Sequence, residues 1–162
     1  MKTRVVRSAA LGFALALAVL PACSSDESSP PSAAGSSSSP PAGGTIDVTL
    51  QEFAISTSAS SAPAGSVTFD ATNEGPKDDH EFVVIKTDLG ITDLPANADG
   101  LVDEEGAGIE AIDEIAEFPP GETRTLTVDL DAGSYVFICN VFDKKENESH
   151  YLEGMRTSFT VS

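Results

Sequence analysis

The fold is decided by the stretch YVFICNVFDKKENESHYLEGM at residues 135–155. Its first five residues form an apolar run that follows the turn residues Asp131 and Gly133, a pattern typical of a central strand in a sheet. A polar loop at residues 140–149 comes next, and the stretch ends on His150 and Met155. The sequence therefore predicts a buried strand that ends on the thiol of Cys139, with an imidazole and a thioether beyond the following loop.

A count of metal-ligating residues limits the kind of metal site that the chain is able to form. The whole chain contains two Cys, two His and two Met, of which Met1 is the initiator and Cys23 belongs to an export signal. The residues that remain are His80, Cys139, His150 and Met155. One thiolate, two imidazoles and a distant thioether form the ligand set of a blue-copper electron-transfer site. We therefore predict one copper ion bound by these four side chains.

Residues 1–22 have the pattern of a secretory signal. Lys2, Arg4 and Arg7 precede an apolar run at residues 9–19, which is too short to span a bilayer comfortably. The sequence LPAC at residues 20–23 resembles the lipobox of bacterial lipoproteins, which implies that Cys23 receives a diacylglyceryl group and becomes the first residue of the mature protein. The alternatives are an ordinary signal peptide with an incidental Cys, or an uncleaved anchor. Two acyl chains hold a protein firmly on a membrane surface.

The segment after Cys23 predicts a tether. Residues 24–44 contain nine Ser, four Pro and three Gly. Such a composition buries too little apolar surface to offset the loss of chain entropy, so we predict that residues 23–44 are a lipidated, disordered linker. A flexible chain of this length reaches roughly 25 Å.

Residues 45–162 are long enough for one domain with one core. Apolar residues alternate with polar ones in several short segments, including residues 46–50, 67–71 and 126–130, and Gly, Pro and Asn turns separate them. The run FVVI at residues 82–85, which follows His80, is continuous and predicts a strand buried on both faces. At least six or seven short strands of this kind predict an all-β sandwich.

Residues 88–118 do not fit the alternating pattern. They are rich in Gly and acids, which predicts an irregular acidic connection. Ile109, Ile112 and Ile115 lie three residues apart, a spacing that suggests a short helix. The same residues also fit a ragged edge strand.

Four motifs resemble those of the cupredoxins of the plastocyanin and azurin type. They are GET at residues 121–123 before an alternating strand, AGSYVFIC at residues 132–139, His150-x4-Met155, and Asn73-x-Gly75 leading to HEF at residues 80–82. The resemblance covers residues 45–162. It implies a Greek-key β-sandwich or barrel in which His80, Cys139 and His150 form a trigonal plane around copper and Met155 is a weak axial ligand.

Two further expectations depend on this resemblance. In the family, the second His carries the exposed edge through which electrons leave, so His150 is expected to fill that role. Ten residues separate Cys139 from His150, whereas only a few do so in the commonest members of the family. The inserted segment at residues 143–148 is charged and lacks apolar residues, which predicts a solvated excursion outside the core.

Composition argues against other classes of function. Removal of the signal leaves six Lys and Arg against 26 acids, a net charge of about −20 that repels nucleic-acid phosphates. Cys139 with a His could act as a thiol nucleophile and base, but no Gly-rich oxyanion element accompanies it and Met155 then has no role. A copper oxidase or reductase needs further His ligands. We therefore expect a protein that is not an enzyme.

The sequence thus predicts a membrane-tethered, monomeric type 1 copper protein that shuttles electrons between exported redox partners. The lipid on Cys23 would hold it at the outer face of the cell membrane, on the periplasmic or extracellular side. Its negative charge favours basic partners, because Glu74, Asp78, Asp79 and Glu81 crowd the first ligand. The alternative functions are a copper-binding or copper-delivery lipoprotein without redox turnover, and a metal-free interaction domain.

Overall fold

A computed structural model describes residues 44–162 of the protein. The predicted signal peptide at residues 1–22, the lipidated Cys23 and the linker that precedes residue 44 lie outside the described residues. Within the described part of the chain, no helix is long and apolar enough to cross a membrane.

The described residues are almost entirely β-structure, as the sequence predicts. The strands are β1 (Thr45–Gln51), β2 (Ala54–Thr57), β3 (Ser61–Ala62), β4 (Gly65–Asn73), β5 (His80–Lys86), β6 (Glu110–Phe118), β7 (Thr123–Leu130), β8 (Gly133–Ile138), β9 (Phe142–Asp143), β10 (Glu148–Ser149) and β11 (Arg156–Val161). One four-residue helix, α1 (His150–Glu153), lies between β10 and β11. Strand order is β2-β1-β4-β7 in one sheet and β3-β11-β8-β5-β6 in the other, while β9 and β10 form a separate hairpin.

The two sheets enclose an aromatic core. Phe69 of β4 contacts Phe82 of β5, Phe137 of β8 and Phe159 of β11, with ring centroids 5.4, 5.2 and 6.0 Å away. All four rings are buried. These contacts join the four-stranded sheet to the five-stranded one, because the alternating residues of each strand point their apolar side chains to the same side. The predicted Greek-key β-sandwich is therefore confirmed.

The five-stranded sheet is covered on its outer face as well. Val83, Ile85, Val136 and Ile138 point away from the aromatic core and pack with Leu94 and Val102 from the long acidic connection and with Tyr151 of α1. This second layer explains why β5 and β8 are continuous apolar runs, since strands with two buried faces cannot alternate. The connection that begins at residue 88 thus caps a hydrophobic surface.

Residues 110–118 do not form the short helix that the spacing of the isoleucines suggests, and they follow the edge-strand alternative instead. They form β6, the edge strand of the five-stranded sheet, which pairs with β5. The pairing shifts register twice: His80 pairs with Phe118 but Phe82 with Ile115, and a second shift lies between Val84 and Ile85. Each shift inserts an extra residue on β6, so that inward-facing residues recur every third position. The spacing of Ile112, Ile115 and Phe118 is therefore that of a bulged edge strand.

Candidate metal centre

The structure brings three of the four predicted ligands together. His80, Cys139 and His150 are buried, and their ligand atoms lie within 4.8 Å of one another. The two Nδ1 atoms of His80 and His150 are 3.1 Å apart. The Sγ atom of Cys139 lies 3.4 Å from Nδ1 of His150 and 3.9 Å from Nδ1 of His80. Two imidazole nitrogens and one sulfur thus face a common point.

These distances fit a bound metal ion. Bonds of about 2.0 Å to imidazole nitrogen and about 2.3 Å to thiolate sulfur, at angles of roughly 100–120°, place the donor atoms about 3.1–3.7 Å apart. The observed separations of 3.1, 3.4 and 3.9 Å agree within a few tenths of an ångström. A trigonal set of two imidazoles and one thiolate is the donor set that copper takes in blue-copper sites. The residues present therefore fit a copper ion.

Antiparallel pairing explains why residues distant in sequence meet here. His80 is the first residue of β5, and Cys139 directly follows Ile138 at the end of β8. Strands β5 and β8 are antiparallel neighbours, with Val83 opposite Ile138. The start of one strand must then lie beside the end of the other, which places both ligands at the same end of the sheet.

Backbone hydrogen bonds tie Met155 to the other ligands. The N–H of Cys139 donates to the Met155 carbonyl at 3.1 Å, and the N–H of Met155 donates to the His150 carbonyl at 2.9 Å. Met155 is fully buried and belongs to the same core cluster as Cys139. The chain therefore returns to the cysteine strand at Met155, while the role of its thioether as axial ligand stays a prediction.

The short helix α1 delivers His150. The Ser149 hydroxyl accepts a hydrogen bond from the N–H of Leu152 and caps the helix start, and it donates to the Gly100 carbonyl at 2.9 Å. Gly154 ends the helix with φ of 132°, and a Cβ there would lie 3.0 Å from the Phe53 carbonyl. A glycine is therefore needed where the chain turns from His150 towards Met155.

Asn73 positions the loop that leads to His80. Its side-chain amide donates to the carbonyls of Asp78 at 3.0 Å and Phe118 at 2.8 Å, and its Oδ1 accepts from the N–H of Gly75 at 2.9 Å. A Cβ on Gly75 would lie 3.0 Å from both Asn73 Oδ1 and the Glu52 carboxylate. The Asn73-x-Gly75 motif thus fixes the conformation of the loop that leads to His80.

Glu81 and Asn140 form a chain of hydrogen bonds that begins at the Cys139 thiol. The N–H of Glu81 donates to the Cys139 Sγ at 3.4 Å, and the N–H of Asn140 donates to the Glu81 carboxylate at 2.7 Å. The Asn140 side chain also accepts from the N–H of Val102 at 2.7 Å and donates to the Glu104 carboxylate at 3.0 Å. The residue after the cysteine therefore connects the metal centre to the long acidic connection.

Burial keeps the metal-free ligands neutral. It raises the pKa of the Cys139 thiol to about 12, although N–H groups of Glu81 and Val141 act in the opposite direction. Burial also lowers the pKa of His80, with His150 adding to the effect, and lowers the pKa of His150. Because a metal binds the thiolate and the neutral imidazole, metal binding at neutral pH must release the thiol proton.

His150 does not have the exposed edge that the resemblance implies. Its side chain is fully buried, and its Nε2 lacks a hydrogen-bond partner within the described part of the chain. Phe53, from the turn between β1 and β2, packs edge to face against it with ring centroids 5.3 Å apart. The expectation of an exposed imidazole edge is therefore wrong, because a residue 97 positions earlier in the chain contacts the ring.

Sequence reasoning did not identify Phe53, Glu52 or Asn140 as part of the site. Asn140 gave a local signal, because it is adjacent to Cys139 and a polar residue directly after a buried strand needs hydrogen-bond partners. Phe53 gave no signal, because its contact with His150 depends on how the β1–β2 turn folds over the end of the sandwich. Glu52 accepts hydrogen bonds from the N–H groups of Lys77 at 3.0 Å and Asp78 at 2.7 Å.

Comparisons with solved structures agree with this fold. No protein-family model matches the chain, and no curated protein sequence matches it. Among solved structures, dithionite-reduced auracyanin from the photosynthetic bacterium Roseiflexus castenholzii aligns with a TM-score of 0.56 and 22% identity, over 75% of this chain and 98% of that one. Auracyanin B aligns with a TM-score of 0.52 and 26% identity, over 77% of this chain and 92% of that one.

A third solved structure names the chemistry of its own site. Auracyanin A from Chloroflexus aurantiacus, described as a "blue" copper protein, aligns with a TM-score of 0.51 and 22% identity, over 73% of this chain and 98% of that one. The fold and the geometry of the three ligands lead to the same conclusion. The chain has the cupredoxin fold, with a buried group of His80, Cys139 and His150 that is able to hold a metal ion.

Proposed function

We propose that the protein is a membrane-tethered type 1 copper protein that passes single electrons between exported redox proteins. The observation that carries the proposal is the convergence of His80 Nδ1, Cys139 Sγ and His150 Nδ1 in a buried site of a cupredoxin sandwich. Copper bound there would supply a one-electron couple between Cu(II) and Cu(I). The protein's part is to hold the ligands in one geometry for both states.

Rigid elements support that role. His80 begins β5 and Cys139 directly follows β8, two paired strands inside a sheet, and the backbone of His150 is held by hydrogen bonds from Gly154 and Met155. The Glu81 N–H would donate to the thiolate as it does to the thiol at 3.4 Å, and hydrogen bonds to the sulfur tune the reduction potential. A centre held in this way needs little rearrangement when an electron arrives or leaves.

Burial favours electron transfer over copper delivery. A delivery protein must release its metal to a partner, which requires ligands that a partner can reach. Here His80, Cys139 and His150 are each fully buried. This arrangement is therefore better suited to retain a metal than to release it, and Met155 would supply a further, weak thioether donor.

The tether and the partners are proposed from sequence and charge. The LPAC motif at residues 20–23 supports a lipid on Cys23, and residues 24–44 would then let the domain stand away from the membrane. The mature chain would carry a net charge of about −20, which supports basic partners on the outer side of the membrane.

Copper loading tests the proposal. Cu(II) is added to the metal-free full-length protein in detergent, and the visible spectrum is recorded. We expect an intense thiolate-to-copper band at one equivalent. Cys23→Ser serves as the control, because it leaves Cys139 as the only thiol: the band should persist while the protein leaves the membrane fraction of the cells. If neither form develops the band, the proposed copper site is wrong.

A further inference from the structure

A cleft of about 390 Å³ lies beside the metal centre. It runs between the segment at residues 77–79 and the β9–β10 hairpin, and His150 is among the residues that line it. A space of this size accommodates several water molecules, or a metal ion with its first hydration shell.

The imidazole at this cleft has an unused polar atom. Nδ1 of His150 faces Cys139 and His80, whereas its Nε2 has no hydrogen-bond partner among residues 44–162. The whole side chain is fully buried. A buried nitrogen without a partner is costly, and the residue that carries it lines the cleft, so a polar or cationic ligand that enters the cleft would meet this residue.

The charges around the cleft favour a cation. Asp78, Asp79, Glu117 and Asp143 line it. Three lysines line it too, but Lys77 is paired with Glu146 at 2.7 Å. With Glu146 included, the carboxylates outnumber the lysines by two.

We propose that this acidic cleft is the access route by which a copper ion reaches His150 and then its other ligands. The inference rests on the proposed function, since it supposes that copper binds at this site. Carboxylates hold a hydrated cation weakly, whereas imidazole and thiolate bind copper tightly, so an ion moves inward from oxygen to nitrogen and sulfur ligands. The carboxylates act on the rate of loading and not on the final site.

The test compares two pairs of substitutions that change the net charge equally. Asp79→Asn with Glu117→Gln removes two exposed cleft carboxylates that accept no side-chain hydrogen bond among the described residues. Asp47→Asn with Asp129→Asn removes two exposed carboxylates from β1 and β7 of the other sheet. Both pairs keep the shape of the side chains, so the protein fold should be unchanged.

Loading is followed by stopped flow after the full-length metal-free protein is mixed with Cu(II). We expect the cleft pair to slow growth of the visible band by about three- to tenfold, with the same final amplitude, and the control pair to change the rate much less. The charge-reversed pair Lys144→Glu with Lys145→Glu should accelerate loading. Equal slowing by both neutralised pairs, or no slowing by the cleft pair, would overturn the route while leaving the site intact. Absence of the band in the unaltered protein would instead overturn the proposed function.

Discussion

Phe53 and His150 meet edge to face, with ring centroids 5.3 Å apart and ring planes inclined by 62°. The contact buries an imidazole that the family resemblance places at the protein surface. It joins the β1–β2 turn to the start of α1, two elements that are far apart in the sequence. The environment of the second histidine is therefore set by a residue outside the ligand loops.

Replacement of Phe53 by a smaller residue should make His150 accessible to solvent. In the copper-loaded protein, Phe53→Ala should speed electron exchange with a small hydrophilic oxidant, because water and reagent then reach His150. The half-buried ring also contributes to stability, so its loss should cost about 2 kcal/mol in the free energy of unfolding. Phe53→Leu is the control, since it keeps an apolar cover over the imidazole. Equal exchange rates in the two variants would show that Phe53 does not shield the site.

The visible spectrum should distinguish the role of Cys139 from that of Met155. Cys139→Ser should abolish the intense visible band, because the thiolate is its source. Met155→Leu conserves volume in the buried core, so the protein should fold, retain the colour and show a higher reduction potential, as loss of a weak thioether donor disfavours Cu(II). The measurements are the visible spectrum and the midpoint potential. Loss of copper to the same extent in both variants contradicts the assigned roles.

Glu81 should make the metal-free protein less stable at higher pH. Burial, together with the nearby Glu114 and Glu104, raises the pKa of its carboxyl from 4.5 to about 7, despite a hydrogen bond from Asn140. Between these two values the folded state holds a proton that the unfolded state has lost. The contribution of Glu81 to the free energy of unfolding is therefore greatest below pH 4.5 and is lost as the pH rises through 7.

Glu81→Gln removes this dependence. After allowance for partial exposure, the variant should gain on the order of 2 kcal/mol in unfolding free energy relative to the unaltered protein between pH 5 and pH 8. Denaturant unfolding at the two pH values measures the difference, in which the histidine contributions cancel. Asp129→Asn removes an exposed carboxylate on β7 of the other sheet and should change little. A constant difference between Glu81→Gln and the unaltered protein at both pH values would be evidence against a raised pKa.

Ionic strength should control encounter with partners. The protein carries a strong negative field, so electron exchange with a basic haem protein should slow steeply as salt rises from 0.01 to 0.3 M, because the Debye length falls below about 10 Å. Exchange with a neutral small oxidant provides the control and should stay flat. A rate with the basic protein that is equally flat would rule out electrostatic steering and point to an apolar docking face.

The β9–β10 hairpin should be dispensable for the copper site. Lys144, Lys145, Glu146 and Asn147 are exposed, and the hairpin turn is closed by the Asp143 carboxylate, which accepts from the N–H groups of Lys145 and Glu146. Deletion of residues 143–148 should preserve folding and the visible band. It should change only the electron-exchange rate with protein partners, because the Lys77–Glu146 ion pair and two lysines near His150 are lost.

The visible spectrum and the exchange rate of the deletion variant check this expectation. Lys77→Gln is a matched control that breaks the same ion pair and leaves the hairpin in place. If the copper band disappears on deletion but not in Lys77→Gln, the hairpin itself positions His150.

The sequence by itself predicted the three residues that the structure brings together, His80, Cys139 and His150, and most of the sandwich. Two-residue alternation and continuous apolar runs are local properties, so the first predicts β1, β4 and β7 and the second predicts β5 and β8. The strand pattern did not show that His80 meets Cys139, because that contact depends on the antiparallel pairing of β5 with β8. The spacing of residues 109–118 fitted both a short helix and a ragged edge strand, because bulges in an edge strand create a spacing of three that a helix also produces, and the strand is the one that forms.

Tertiary structure alone decided how the site meets its surroundings. The cover of Phe53 over His150, the Asn140 link to Val102 and Glu104, and the cleft between residues 77–79 and the hairpin all join segments far apart in the chain. Such contacts depend on how turns pack across the end of the sandwich, and no local periodicity records that packing. Residue chemistry is therefore readable in the sequence as a candidate ligand set, whereas the packed turns set how far each ligand is covered.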